Sequence, residues 1–123
     1  MASFQPGNYI SKKAKVAMTA TNYRFVKAAI NDECDLCGAG EVAIGIRENS
    51  PAIGGMAKIV ESGTAKLTLG GNVAVGEKIK SDAAGAGVKA DTDYDEVNAE
   101  ALETGVAGDV IEVKLVRYVL MVA

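Results

Sequence analysis

The stretch GEVAIGIRENSPAIGG, residues 40–55, alternates apolar with polar or small side chains and then breaks at Pro51, Gly54 and Gly55. Alternation with period two is the pattern of a half-buried strand, and Pro and Gly end it in a turn. A related order returns as DEVNAEALETGVAGD, residues 95–109. Working outward, Phe25-Val26-Lys27 and Lys78-Ile79-Lys80 stand before the two stretches, and Met56 to Glu61 and Val110 to Leu115 stand after them. The offset stays in the mid-fifties, and the order of strand, turn, strand, turn, strand is kept with no large insertion. Few identities are shared, so the residues alone leave duplication and chance both open.

From Tyr23 onward the chain is a series of short apolar or alternating runs separated by Gly, Asn and Asp, as a β-meander or barrel is written. Strands are predicted over residues 23–30, 42–48, 56–61, 65–69, 77–80, 88–90, 97–104 and 110–122. Ser62-Gly63, Gly70-Gly71-Asn72 and Gly85-Ala86-Gly87 supply the turns. The firmest strand residues are Ile111, Val113 and Leu115, which alternate with Glu112 and Lys114 and give a sheet one buried and one wet face. Glu, Asn, Ala and Leu in residues 96–104 favour a helix by propensity, so one short helix there competes with the strand reading.

Residues 1–22 differ in character. Gln5-Pro6-Gly7-Asn8 and the basic run Lys12, Lys13, Lys15 carry apolar residues too scattered for a firm strand or helix. The expected organisation is an N-terminal arm over 1–22 and a β-rich domain over 23–123: a mainly β fold, a compact barrel or sandwich-like module of short strands with an extended arm.

The whole chain has 123 residues, the size of a single domain. It carries 13 basic and 16 acidic residues, a net charge of −3, and so lacks the general positive field that holds nucleic acid. No apolar run reaches the roughly 18–20 residues of a membrane helix, and the N-terminus lacks the apolar centre of a secretory signal. Neither nucleic acid nor membrane is expected as a partner, and the chain reads as made in a cytoplasm.

The chemistry-bearing residues are few. There is no His, so the commonest general base and neutral metal ligand are absent. The serines lie in no nucleophile elbow, and no phosphate-cradling GxxxxGK[ST] loop is present. Asp91, Asp93, Asp95 and Glu96 read as a solvated acidic loop, lacking the Gly and closing Glu of a calcium loop. Cys34 and Cys37 form a CxxC pair, which suits a redox site or half a zinc site, but no second ligand pair and no βαβ pattern accompanies it. Two structural thiols are expected, one buried and one exposed if the segment is a strand. No catalytic residue, cofactor or metal is assigned.

The run YRFVKA, then Ala43-Ile44-Gly45, then GEKIKSDAAG from Gly76, and finally Ala107-Gly108-Asp109-Val110 before an alternating strand resembles the small capsid decoration, or cement, proteins of tailed bacteriophages. The resemblance covers roughly residues 23–115, and it rests on the order of the pieces, each of which is low in information. Glu100 stands where the family would have a Gly like Gly45, and the CxxC pair is foreign to the pattern.

The resemblance implies a non-enzymatic virion protein, often trimeric, on the outside of the mature head, clamping subunits of the major capsid protein, made in a bacterial host cytoplasm. On that reading Phe4 and Tyr9 are apolar anchors and Lys12, Lys13 and Lys15 meet acidic capsid surface. Tyr118, Val119, Leu120 and Met121, an apolar run without alternation, are the candidate contact between copies of a trimer. The alternatives are a β-barrel module for a small ligand or sugar, and a tail or fibre component.

Overall fold

Ten strands and no helix make up the described residues of the computed structural model, which are residues 9–16, 18, 23–31, 33–91 and 95–119. The first five are β1 (Tyr9–Ala14), β2 (Arg24–Ala29), β3 (Glu33–Leu36), β4 (Gly45–Arg47) and β5 (Met56–Val60). They close into a barrel in the order β1-β3-β2-β4-β5, with β5 returning to β1. The remaining five are β6 (Thr64–Thr68), β7 (Lys78–Ser81), β8 (Gly87–Lys89), β9 (Glu96–Ala101) and β10 (Val110–Val119). They form a second sheet in the order β6-β10-β9-β7-β8, whose outer strands are joined by one parallel bridge, Leu69↔Gly87.

The mainly β expectation holds, and the short helix considered for 96–104 is a strand, β9. Its inward residues Val97, Ala99 and Ala101 are buried, so tertiary packing overrides local propensity. On β10 the predicted alternation is observed: Ile111 and Val113 are buried while Glu112 and Lys114 are exposed.

Two strands were not expected. The reading of residues 1–22 as an arm with no firm strand is corrected over β1, which pairs with β5 from Tyr9↔Val60 to Lys13↔Met56 and with β3 at Lys13↔Glu33 and Ala14↔Cys34. Lys12 interrupts the inward series Ile10, Lys12, Ala14, and that hid the strand. β3 is four residues long and carries Asp35 between its Cys and Leu, too little pattern to read as a strand.

The two halves are built alike. Val26↔Leu36 and Ala28↔Cys34 in the first have counterparts Ile79↔Lys89 and Ser81↔Gly87 in the second, each 53 residues on. Ile46↔Val60 and Arg47↔Ile59 correspond to Glu100↔Lys114 and Ala101↔Val113, each 54 on. Tyr9↔Val60 and Lys13↔Met56 correspond to Lys114↔Thr64 and Val110↔Thr68. The parallel closure Ala14↔Cys34 corresponds to Leu69↔Gly87.

The turns repeat as well. Gly54 donates its N–H to the Ala14 carbonyl and Gly108 to that of Leu69, at 2.9 and 2.8 Å. Gly54 and Gly108 hold φ of +80° and +92°, where a side chain would be strained. Matched pairing in every ladder is more than chance order supplies, so the chain is a structural duplication with an offset of 53–55 residues.

Small side chains let a barrel of five strands fill. Ala14, Met18, Val26, Cys34, Ala57 and Ile59 pack inside the first barrel. Leu67, Leu69, Ile79, Ala99, Ile111 and Val113 pack on the second sheet, and their cluster runs on without a break to Phe25, Cys37, Ile46 and Val60 of the barrel. The two repeats therefore share one core at their seam.

Candidate interaction surfaces

Backbone hydrogen bonds tie the seam as well as apolar contact. Phe25 donates to the Gly85 carbonyl, Thr68 to that of Tyr23 and Gly40 to that of Ser81, at 2.8–2.9 Å. The side chain of Asn98 accepts the Ala43 N–H at 3.2 Å and donates to the Glu41 carbonyl at 3.1 Å. The Glu41 carboxylate takes Gly38 N–H at 2.6 Å and the Lys27 ammonium at 2.8 Å, and these contacts hold it below the usual carboxylate range. A cleft of about 140 Å³ beside Asn98, lined also by Ile44, Gly45 and Leu115, is small against the ~300–1,000 Å³ of ordinary ligand pockets.

The residues assigned to capsid contact are separated by the fold. Tyr9 and Lys13 lie on the outward side of β1, and Lys15 is exposed just past its end. Lys58 of the neighbouring β5 sits 4.3 Å above the Tyr9 ring. Lys12 is half-buried and engaged in an interaction of its own. Phe4 lies outside the described residues. Of the assigned intersubunit contact, Tyr118 is 40% exposed near the end of β10, where it pairs with Val97, and Val119 pairs with Glu96. Leu120 and Met121 lie outside the described residues.

Cys34 and Cys37 are both buried, which corrects the expectation that one would be exposed. Cys34 points into the first barrel from β3, whereas Cys37 lies one residue past the end of β3, where alternation no longer holds, and enters the shared core at the seam. Burial raises the pKa of both thiols, that of Cys37 to about 12, which favours the protonated thiol over the thiolate. Among the described residues no group of three or more Cys, Asp or Glu side chains is placed to hold a metal ion. In the acidic loop, Asp95 is an ion-pair partner of Lys80 at 3.2 Å, and Asp93 lies outside the described residues.

Sequence reasoning missed Arg47. It is fully buried on β4 and donates to the carbonyls of Met18 and Asn49. Burial lowers its pKa to about 10, so it keeps its charge at neutral pH. A charged residue inside an alternating strand gives no sign of this role.

The architecture is shared with a solved protein. The chain is similar to the N base of the head fibre gp8.5 of bacteriophage phi29, with a TM-score of 0.73 over 93% of this chain and 98% of that one, at 15% identity. At that identity the likeness shows a common fold. No family model and no curated protein matches the chain.

Proposed function

We propose that the chain is a non-enzymatic structural protein of a phage virion, which binds the outside of the head and stabilises it by bridging subunits of the major capsid protein. The observation that carries this reading is the shared architecture with the phi29 head fibre base over nearly the full length of both chains. The absence of His and the burial of both thiols agree with a role that needs no chemistry. Tyr9, Lys13 and Lys15 on the outer side of the first repeat, with Phe4 and Lys12, are the proposed capsid contacts. Tyr118, Val119, Leu120 and Met121 are the proposed contact between copies of a homotrimer, in which each copy presents the same patch to an equivalent neighbour.

A ligand that binds only the assembled shell stabilises it by mass action, by about 2.7 kcal/mol per site at a free concentration 100 times Kd. Many copies on one head multiply that effect. The test is heat release of the genome: heads stripped of the protein should lose DNA at a lower temperature than decorated heads, and added protein should restore them. Equal resistance would remove the stabilising role.

A second reading, as the base of a fibre, is favoured by the neighbour being itself a fibre base. Negative-stain images of the heads separate the two: low knobs support cement, and projecting fibres support a fibre base.

A further inference from the structure

β2 and β4 set two arginines opposite each other. Arg24 and Arg47 are direct partners in the ladder, so their side chains leave the same face of it. Arg47 is also opposite Ile59, which packs inside the first barrel, so that face is the inward one. Like charges placed in this way repel, and the Arg24 guanidinium joins burial in holding the pKa of Arg47 down. The ladder itself does not need them. In the second repeat the matched positions, 53 and 54 residues on, are Glu77 and Ala101, where the Ala101 N–H reaches the Glu77 carbonyl at 2.9 Å without a pair of cations.

Arg24 also carries a donor that the fold leaves over. Its Nη1 donates to the Ala84 carbonyl of the second repeat at 3.1 Å, while its Nε is buried with no hydrogen-bond partner. Among the described residues no carboxylate meets Arg24. A buried donor without an acceptor is costly, the more so on a charged group. With Nη1 taken, Nε and Nη2 remain, and they form the edge of a guanidinium that holds two oxygens of one anion side by side. Arg24 as a whole is only half-buried, so an ion has a way in from solvent.

We propose that this edge of Arg24, beside the Arg47 guanidinium, binds an oxyanion, supplied either as free phosphate or as the carboxylate of an acidic side chain on a head subunit. One such group gives Nε its acceptor and offsets the repulsion between the two arginines. Arg47, fully buried and held by the Met18 and Asn49 carbonyls, is a fixed source of positive potential. Chloride offers no pair of oxygens to a planar fork, so phosphate and carboxylate are preferred to it. The carboxylate source rests on the capsid reading above; the site itself does not.

The test is a set of thermal melts of the free protein, wild type against Arg24→Gln and Arg24→Lys, in sodium phosphate and in sodium acetate, each compared with sodium chloride at equal ionic strength and neutral pH. Phosphate also stabilises proteins by exclusion from their surface, so the quantity read is the shift in wild type minus the shift in the variant. Phosphate or acetate should raise the midpoint of wild type by about 2 °C or more beyond that of Arg24→Gln. Arg24→Lys, which keeps the charge and loses the fork, should also fall short of wild type, and it takes the place of Arg24→Gln if the latter does not fold. Equal shifts in wild type and variants with both probes overturn the inference. Binding to stripped heads separates the sources. Affinity about tenfold or more weaker in Arg24→Gln, with phosphate competing against wild type, assigns a head-subunit carboxylate; unchanged head binding with the phosphate shift retained assigns free phosphate. If wild type binds no heads, the capsid reading falls and the oxyanion site stands or falls on the melts.

Discussion

Asn98 of the second repeat holds Ala43 of the first: its side-chain oxygen takes the Ala43 N–H at 3.2 Å while its amide donates to the Glu41 carbonyl at 3.1 Å. Asn98 is buried beneath the small cleft at the seam, so its amide is the protein partner of both backbone groups. Asn98→Ala should destabilise the protein by about 2–4 kcal/mol, from two lost bonds and the partners left unsatisfied. Asn98→Asp keeps the acceptor but sets a carboxylate oxygen against the Glu41 carbonyl in a buried place, so it should cost at least as much. Urea unfolding of the three proteins measures this, and a loss under about 1 kcal/mol for Asn98→Ala would show that the seam does not depend on the amide.

Gly45 sits where β4 meets β5 too closely for any side chain. A Cβ there would stand 2.2 Å from the Val60 carbonyl oxygen and 2.7 Å from Ile59 Cγ2. Backbone cannot give way as a flexible side chain does, so Gly45→Ala should cost about 3 kcal/mol or more, above the usual range for overpacking. The matched position in the second repeat is Ala99, which already carries a Cβ. Ala99→Gly should cost far less, about 1 kcal/mol. Thermal melts of the two variants give the comparison.

Acid should act on the first repeat through Glu41, whose carboxylate holds Lys27 and Gly38. Its pKa is lowered in the folded protein, first by the hydrogen bond from Lys27 and then by that from Gly38. A depressed folded pKa means the contribution is complete above the unfolded value near 4.5 and is lost as pH falls through the folded value. Glu77, held by Ala74 N–H and Lys89, works in the same direction. Between pH 6 and pH 3, wild type should therefore lose more stability than Glu41→Gln, read as the shift in urea midpoint. Equal shifts would mean that Glu41 is not among the groups that set the acid limit.

The thiols should be silent in the native state. Buried and with raised pKa values, Cys34 and Cys37 should react with a thiol reagent only when the protein is unfolded. Replacing both with Ser buries two hydroxyls and should cost about 1–3 kcal/mol each without abolishing head binding. Fast native labelling, or stoichiometric zinc in the purified protein, would contradict this account.

How much could be read from the residues depended on how many of them faced a single environment. β10 was legible because Ile111 and Val113 face the core and Glu112 and Lys114 face water. β1 was not, because Lys12 takes an inward position of the barrel and only Ile10 and Ala14 remain to mark a strand. The repeat showed in the order of its elements but hardly in identities, since ladder register is a backbone property that Val26 and Ile79 or Met56 and Val110 satisfy equally well. One alignment was off by a residue: Ala99, not Glu100, is the counterpart of Gly45.

The surfaces were less legible than the core. Tyr9 and Lys13 are outward, as a contact surface needs, but they stand on a barrel strand rather than an arm. Ile53 and Val106 are exposed in turns, where sequence pattern sets no inward or outward face.

The central claim, that this chain is a structural protein on the outer surface of a phage head, is tested most directly by a cryo-EM difference map between heads with and without it. The account predicts discrete density on the outer capsid surface, sized for copies of a five-stranded barrel joined to a five-stranded sheet and spanning neighbouring capsid subunits, present only in the decorated heads. Identical maps, or extra density confined to the tail, would contradict it.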